Sequence, residues 1–480
     1  MWQFNEDLLY LTFEELKNDK KSLYSCLLVN RICCITAVPI LWRNPSQTSL
    51  SKNSLDKLFN VILLHLSEES RDTLKYRGMN NLIAETYHRP LFNYISFWKY
   101  LEFNFLERMI SSKIIEKSNV HVMRNEILKL FINNNTKFIH LSIRQNFDYQ
   151  LLHLTLEAEC CFSELESFQS YDNIDQNILE RLTRICKSIK KVKLFISTYN
   201  YGFIKLIEIQ KNLNDFRLIH TSSFGNESFY KSLEESLIKH ADTVQYLSIG
   251  WNPTTRFLSY FVNLLYLEIT KHYFINWNDP TWDDPNYLKN LSLPILKILK
   301  VYRSPLNAIV NLINNTTENL SEISIHCNKN IDSDSCKILI QAIYQNCPNI
   351  RYLKLSLNSY LLISEFENLL INCHHLNGLI INISKDFKFN WNMLFQILTK
   401  SSTVSLFKFK FFSMIFKLED IKLFLENWKN RKPILLKINQ YISEPDPELV
   451  NLIEQYKAKG VIKNCFFDPG EITYEDFEWI

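Results

Sequence analysis

The sequence predicts an α/β solenoid, a curved parallel sheet with helices outside it, preceded by an all-α segment. Two observations carry this prediction. A six-residue apolar frame recurs through most of the chain, and the segments between its copies often have the spacing of amphipathic helices. The composition, 46% hydrophobic and 22% charged over 480 residues, is that of a folded protein with a large core.

The repeated frame has the pattern apolar-x-x-apolar-x-apolar and is clearest in IRYLKL, Ile350 to Leu355. Its alternation of apolar and polar residues is typical of a strand that is buried on one face. Twelve copies recur about 27 residues apart on average, within the roughly 20 to 29 residues of leucine-rich repeats. The other copies begin at Phe138, Leu165, Ile189, Leu213, Val244, Leu264, Leu296, Leu320, Leu376, Val404 and Pro433.

The segments between frames predict helices, of which Asp332 to Asn346 is the clearest. Asp332 or Ser333 can cap its start, because short polar side chains accept hydrogen bonds from free N–H groups there. Its apolar residues allow two buried faces, one with Ile338 and Ala342 and one with Leu339 and Ile343. Strands that alternate with helices predict parallel pairing through crossover connections.

Small residues recur three positions before the frame, and three of them are Cys186, Cys347 and Cys373. We interpret these cysteines as packing residues, because free cysteine behaves as a small apolar side chain. The 11 cysteines are scattered without a C-x-x-C pair, which argues against a disulfide framework or a zinc ribbon and favours the cytoplasm or nucleus. The segment QNCPNIRYLKL resembles the cysteine-containing leucine-rich repeats, a family often found in substrate receptors of ubiquitin ligases.

The sequence lacks the signatures of the main enzyme classes. Seven glycines are too few and too dispersed for a phosphate-binding loop, and G-x-S-x-G and H-E-x-x-H are absent. His374 and His375 follow Cys373, but no fourth metal ligand stands at a plausible spacing. The net charge of +3, without a basic block, argues against nucleic acid as a partner. We therefore expect a protein that is not an enzyme and has no cofactor or metal.

The segment from Leu23 to Trp42 is apolar enough to suggest a membrane span, but three residues argue against insertion. Arg31 would cost about 2.5 to 3.5 kcal/mol at a helix centre, Asn30 adds a polar amide, and Pro39 interrupts a helix. The residues before it lack the pattern of a secretory signal. We expect no membrane association.

The segment from Phe4 to Pro45 resembles an F-box, whose pattern runs L-P-x-E-L-L-x-x-I-F-x-x-L, then a loop, an apolar helix and L-W. The matching residues are Phe4, Asp7, Leu8, Leu9, Phe13, Leu16, Val29, Arg31, Leu41 and Trp42. Asn5, Thr12 and Cys33 replace the Pro, Ile and Trp of the pattern. The resemblance implies that this segment binds the adaptor subunit of an SCF-type cullin-RING ubiquitin ligase.

Some forty residues cannot bury so many apolar side chains internally, so we expect a partner to cover the remainder. The side chains predicted to contact the adaptor are Phe4, Leu8, Leu9, Phe13, Leu16, Leu23, Leu27, Val29, Leu41 and Trp42. The alternative is that these helices dock on the chain's own repeats.

Four regions are predicted along the chain: an F-box at 1–45, a helical linker and N-terminal cap at 46–133, about twelve repeats at 134–443, and a C-terminal cap with an acidic tail at 444–480. The linker contains two helical-looking tracts, LDKLFNVILLHLSEESRDTLKY and PLFNYISFWKYLEFNFLERMI, with a turn near Gly78. The segment EPDPELVNLIEQYKAKG predicts one more helix.

The polar residues of the frames predict a binding surface on the concave face of the sheet, because strand side chains alternate between faces. We expect the substrate to contact Tyr246, Tyr266, Lys300, Tyr302, Tyr352, Lys354 and Lys408. Acidic residues in these rows are fewer, chiefly Asp215, Glu268 and Glu322. The hypothesis is an acidic or phosphorylated protein segment as ligand, and the alternative is an ordinary solvated sheet surface.

These expectations combine into a substrate receptor of an SCF-type ubiquitin ligase, monomeric within its hetero-complex. The repeats would hold a target protein, and the N-terminal segment would dock on the adaptor. The alternative is a leucine-rich-repeat scaffold with no role in ubiquitination.

Overall fold

The structure, a computed structural model, divides into two compact units, Met1–Leu213 and Asn214–Ile480. It describes residues 6–47, 50–83, 90–144, 156–171, 174–220, 226–270, 288, 290–302, 306–316, 318–326, 333–357, 362–383, 390–412, 417–439, 446–468 and 477. No helix within these ranges is long and apolar enough to span a bilayer.

The first unit begins with helices and continues with alternating strands and helices. Its helices are α1 Glu6–Glu15, α2 Lys20–Cys26, α3 Arg31–Trp42, α4 Lys52–Leu63, α5 Glu68–Tyr76, α6 Phe103–Ser111, α7 Lys117–Phe131, α8 Leu156–Phe162, α9 Gln176–Ile185 and α10 Tyr201–Glu208. Its strands are β1 Tyr100–Glu102, β2 His140–Arg144, β3 Ser167–Tyr171 and β4 Lys191–Ile196.

The second unit alternates strands and helices nearly throughout. Its strands are β5 Asp215–His220, β6 Tyr246–Ile249, β7 Tyr266–Thr270, β8 Ile298–Tyr302, β9 Glu322–His326, β10 Tyr352–Ser356, β11 Gly378–Asn382, β12 Lys408–Phe412, β13 Ile434–Asn439 and β14 Ile462–Asp468. Its helices are α11 Glu227–Ile238, α12 Leu306–Asn315, α13 Ser333–Asn346, α14 Ile363–Asn372, α15 Trp391–Ser401, α16 Leu418–Asn427 and α17 Pro447–Ala458.

Strands pair in parallel with their neighbours along the chain, from β1 to β4 in the first unit and from β5 to β14 in the second. In the second unit, helices α12 to α17 likewise pack against one another in order. The predicted α/β solenoid of repeated strand and helix is therefore confirmed. Each of the twelve frames corresponds to a strand, from β2 to β13.

The frame assigned to Val404 is wrong by two residues. Phe409 of β12 pairs with Leu379 of β11, so Phe409 and Phe411 occupy the two buried strand positions. Val404 lies before the strand and is 80% exposed. The sequence LFKFKFF alternates without interruption, and a slip of two residues keeps the same face, so alternation alone could not set the register.

The buried layer of each repeat is formed by the frame residues and the helix that follows. Leu353, Leu379 and Phe409 lie side by side on neighbouring strands and are fully buried. In α13 the face with Leu339 and Ile343 is the buried one, while Ile338 is exposed. The helix begins at Ser333, so Ser333 is its first residue, and Asp332, the other predicted cap, lies outside the described residues.

The three cysteines that precede frames are buried as predicted. The Sγ atom of Cys186 donates to the carbonyl oxygen of Phe162 at 3.4 Å, and Cys347 and Cys373 are likewise fully enclosed. Burial raises the pKa of each thiol to about 12. Since the thiolate is the reactive form, these cysteines serve packing.

Two strands lie where no frame was assigned. The tract from Pro90 to Ile110 was predicted to be helical, but it contains the short strand β1 before α6. Strand β14 follows α17 in the region predicted as a cap. The other helix predictions hold, and Gly78 ends α5 with φ of 78°, a conformation that favours glycine.

Candidate protein-binding surfaces

The three N-terminal helices form a small module with its own core. The buried residues are Phe13, Leu23, Cys33, Ala37 and Ile40, and Leu9, Leu16, Cys26, Leu27 and Leu41 pack against them. Helix α1 supplies Phe13 because its apolar residues at three-and-four spacing face α3. The core therefore uses most of the apolar side chains that the F-box resemblance singled out.

Polar residues inside the apolar stretch define where α3 begins. The side chain of Asn30 accepts a hydrogen bond from the backbone N–H of Cys33 at 2.8 Å, which makes Asn30 the N-cap of α3. Asp19 caps α2 in the same way through Ser22 N–H at 3.2 Å. The stretch from Leu23 to Trp42 is thus two helices with a turn between them.

An ion pair joins α1 to the end of α3. Arg43 Nη1 donates to Glu14 Oε2 at 2.9 Å, and Arg43 Nη2 donates to Tyr10 Oη at 2.8 Å. Burial alone would raise the pKa of Glu14, but the hydrogen bonds from Arg43 and Tyr10 and the charges of Arg43 and Lys17 together outweigh burial and hold the pKa below its usual value. The ion pair therefore fixes the packing of α1 on α3.

The structure separates the predicted adaptor contacts into three groups. Phe13 and Leu23 are buried and cannot reach a partner, so their assignment as contact residues is corrected to core residues. Leu9, Leu16, Leu27 and Leu41 are partly buried against that core, and the ring of Trp42 packs on Tyr94 with centroids 4.3 Å apart. Leu8 and Val29 are exposed, whereas Phe4 lies outside the described residues.

Several other apolar side chains of the module are exposed, and the sequence reasoning did not assign them. With Leu8 and Val29 they form what we call the module's exposed set: Leu8, Leu11, Leu28, Val29, Ile32 and Ile35. Leu28 is 88% exposed and Val29 67% exposed. Leu8 and Leu11 on α1, and Ile32 and Ile35 on α3, are each three residues apart and so share one helix face, a signal that a helical projection of the sequence already contains. Leu28 and Val29 lie in the turn between α2 and α3.

The polar residues of the frames in the second unit lie in rows across the sheet, on the face opposite the buried frame residues. We call this surface the row face. One row contains Tyr246, Tyr266, Glu322, Tyr352 and Lys408, and the next contains Glu268, Lys300, Lys354 and Lys410. A third row contains Tyr302 and Phe412.

Around Tyr266 the charges on the row face are balanced. Lys300 Nζ lies 3.3 Å from Glu322 Oε1, and Arg217 Nε donates to Asp215 Oδ1 at 2.9 Å. Tyr266 Oη donates to Glu268 Oε2 at 3.2 Å. The acidic residues Asp215 and Glu322 of this region therefore pair with its cations Arg217 and Lys300.

The tyrosines of this region are half-buried in ring contacts. The ring of Tyr246 lies 6.2 Å from that of Tyr266, and the Lys300 ammonium lies 5.8 Å above the Tyr266 ring centre. Tyr302 stacks on His326 with centroids 4.5 Å apart. Tyr266 therefore already contacts Tyr246 and Lys300, and Tyr302 already contacts His326.

From β10 to β12 the row face is different, because its lysines are buried. Lys354 and Lys408 are nearly enclosed, and Lys410 is fully enclosed. Lys408 Nζ lies 5.6 Å above the Tyr352 ring centre. Phe477, from the segment predicted to be an acidic tail, packs on Tyr352, and no sequence signal had linked that segment to the row face.

Comparisons with known proteins leave the chain without a family assignment: no family model matches it, and no curated protein matches it.

Proposed function

We propose that this chain is a non-enzymatic substrate receptor of an SCF-type cullin-RING ubiquitin ligase. In this proposal the N-terminal module binds the adaptor and the leucine-rich-repeat-like sheet holds a target protein. The observation that carries it is the module's exposed set, six large apolar side chains that remain in solvent although the module has a buried core of its own. Several exposed large apolar side chains on so small a module are typical of an interaction site.

The energetics favour a partner for this surface. Burying one Leu, Ile or Val side chain contributes about 1.5 to 3 kcal/mol of binding free energy. Several such side chains together therefore offset much of the entropy cost of association. The end of α3 is attached to the chain's own residues through Trp42 and through the hydrogen bond from Lys99 N–H to Arg43 O at 2.9 Å. That contact leaves the exposed set accessible.

A receptor of this kind needs no catalytic side chain. Holding a target next to the ubiquitin-transfer machinery raises the local concentration of target lysines, which turns a rare encounter into an effectively intramolecular one. The chain then contributes two binding surfaces, one on the module and one on the repeats.

The proposal is tested by measuring binding of the purified adaptor to the full chain and to two single variants. Ile35 on α3 and Ile338 on α13 are both 48% exposed, which makes Ile338→Asp a matched control for Ile35→Asp. We expect Ile35→Asp to weaken adaptor binding at least tenfold and Ile338→Asp to leave it unchanged. If the adaptor fails to bind the unaltered chain, the ligase role is excluded and a scaffold role takes its place.

A further inference from the structure

A polar cavity of about 370 Å³ lies at the edge of the second unit's sheet, where strands β8 to β11 begin. All of its lining residues precede the first residue of the strand that follows them, so none belongs to the three rows of the row face. The lining residues are Lys297, Glu318, Asn319, Ser321, Asn349, Arg351 and His375.

Hydrogen bonds place three of these residues in line across neighbouring repeats. Ser321 N–H donates to the carbonyl oxygen of Lys297 at 2.9 Å, and Ser321 Oγ donates to the same oxygen at 3.2 Å. Arg351 N–H donates to the carbonyl oxygen of Ser321 at 2.8 Å. Because neighbouring strands are about 4.8 Å apart, the Cα atoms of Lys297 and Arg351 are separated by roughly 10 Å, with Ser321 between them.

The two asparagines of the cavity hold its turns together. Asn319 Nδ2 donates to the carbonyl oxygen of Pro294 at 2.8 Å, and Asn349 Nδ2 donates to that of Glu318 at 3.2 Å. Each bond joins a turn to the turn of the preceding repeat and satisfies a backbone carbonyl group outside the strands. The asparagines therefore form the wall of the cavity.

The basic side chains of the cavity have no such partners. Within the described ranges, the side chains of Lys297, Arg351 and His375 form no hydrogen bond or ion pair. Glu318 is the one carboxylate among the lining residues, and within the same ranges it forms no ion pair with Lys297 or Arg351. Two cationic side chains and a histidine thus face one carboxylate, which leaves the lining with a net positive charge.

The first unit has a different arrangement at the same position of the frame. Lys190 is the second residue of its frame, as Arg351 is, and Lys190 Nζ lies 2.7 Å from Oε1 of Glu166, which has this position in the preceding repeat. The residue that precedes Arg351 in this way is Ser321. A hydroxyl therefore replaces the carboxylate, and the charges of Lys297 and Arg351 are not neutralised by the residue between them.

A phosphate group suits these donors better than a carboxylate does. A phosphate monoester carries a charge of about −1.5 to −2 and has three strong acceptor oxygens, so it can accept from Lys297, Arg351 and His375 together. A carboxylate has two oxygens and is matched by a single guanidinium group. The cavity volume of about 370 Å³ also falls within the range of about 300 to 1,000 Å³ that is typical of small-ligand sites.

We propose that this cavity binds a phosphate monoester between Lys297 and Arg351, with His375 as a third donor. The phosphate group belongs either to a phosphorylated side chain of a target protein or to a small phosphorylated molecule, and both present the same chemistry to the cavity. Binding here does not depend on the adaptor, so this site adds to the ligase role and can be tested apart from it.

The test measures binding to the purified full chain by calorimetry. The ligands are a short Gly-Ser peptide with one phosphoserine, the same peptide without phosphate, and inorganic phosphate. We expect the phosphopeptide and inorganic phosphate to bind and the unphosphorylated peptide not to bind. Tighter binding of the phosphopeptide than of inorganic phosphate would identify a protein target as the source, and equal or weaker binding would identify a small molecule. Failure of both phosphate ligands to bind would overturn the proposal.

A pair of substitutions at Ser321 tests the role of charge in the cavity. Ser321→Glu places a carboxylate between Lys297 and Arg351, as Glu166 stands beside Lys190, and should weaken phosphate binding at least tenfold. Ser321→Gln adds nearly the same volume without the charge and should bind phosphate like the unaltered chain. Equal binding by the two variants would overturn the proposal.

Truncation of the cations gives an independent check. Arg351→Ala and Lys297→Ala should each weaken phosphate binding at least tenfold, because each removes a charge-assisted donor. Lys190→Ala removes a lysine from the same frame position in the first unit and should leave binding unchanged. Phosphate binding that survives both truncations in the cavity would overturn the proposal.

A second measurement covers the case in which Ser321→Glu does not fold. A ligand that binds only the folded state raises the unfolding temperature, so the unaltered chain should unfold at a higher temperature in phosphate than in chloride of equal ionic strength. Lys297→Ala should lose most of this increase. An increase that Lys297→Ala retains in full would be a general effect of the salt and would overturn the proposal.

Discussion

The N-terminal module and the row face at β10–β12 have opposite arrangements of polar and apolar side chains. The module leaves large apolar residues such as Leu28 and Ile35 in water, although it has a core of its own. The row face encloses Lys354, Lys408 and Lys410, side chains that normally remain solvated. The module therefore exposes residues of a type that is usually buried, and the row face buries residues of a type that is usually exposed.

The difference shows where each region has free energy left to gain from a partner. Apolar side chains in solvent gain free energy when a complementary apolar surface covers them, so the module favours a protein partner. The lysines at β10–β12 already pack within the fold, with Lys408 Nζ 5.6 Å above the ring centre of Tyr352.

The largest expected effect is the loss of stability when a core residue of the module is truncated, compared with truncation of a residue of its exposed set. Phe13→Ala removes a buried ring between α1 and α3 and should destabilise the module by about 3 to 5 kcal/mol. Leu11→Ala removes an exposed side chain and should change stability by no more than about 0.5 kcal/mol. Hydrogen exchange of residues 6–42 measures both.

The same pair of variants separates folding from binding. Leu11→Ala should weaken the adaptor complex while its exchange protection stays at the level of the unaltered chain. Similar loss of protection in both variants would mean that the exposed set supports the fold of the module and is not a docking surface.

The next effect concerns Gly378 on β11, which lies beside Tyr352 on the row face. Gly378→Ala places a Cβ atom 2.7 Å from Tyr352 Cδ1, and such overpacking costs about 1 to 3 kcal/mol. Replacing a strand glycine by alanine gains only about 0.5 to 1 kcal/mol from chain entropy, so the clash decides the sign. Thermal unfolding should show lower stability for Gly378→Ala, and no loss would mean that Tyr352 moves aside freely.

The repeat could be predicted from the sequence because many copies of the frame carry the same pattern. Twelve copies of the apolar frame report the same geometry, so an error in one copy, such as that at Val404, does not change the architecture. Strand β1, with only three residues, carries too short an alternation to stand out from a helical pattern. The ends of the solenoid were therefore the least predictable parts.

The binding surfaces were only partly predictable. Helical spacing grouped Phe13 with Leu9 and Leu16 correctly, but it could not say whether that face meets a partner or the module's own α3. The alternation of the strands placed Tyr352 and Lys354 on one face, yet the long-range contact with Phe477 has no sequence period. Contacts between segments distant in sequence depend on packing that no local pattern records.

A smaller effect tests whether the two halves of the row face differ in electrostatics. Lys300 and Glu322 form a half-buried pair at 3.3 Å, so we expect a coupling of about 1 kcal/mol in a double-mutant cycle with Lys300→Met and Glu322→Gln. A coupling near zero would mean that solvent screens the two charges and that the pair does not stabilise this part of the row face.

The smallest effect is a pH dependence of the module. Because the pKa of Glu14 is held below its ordinary value of 4.5, the ion pair with Arg43 contributes stability above about pH 4.5 that is lost as the pH falls through the lowered pKa. Glu14→Gln should therefore destabilise the module by about 0.5 to 1 kcal/mol at pH 7, and this effect should disappear as the pH falls through the lowered pKa of Glu14. Hydrogen exchange of residues 6–42 across this range measures the difference, and a constant difference would assign the stability to the packing of α1 on α3.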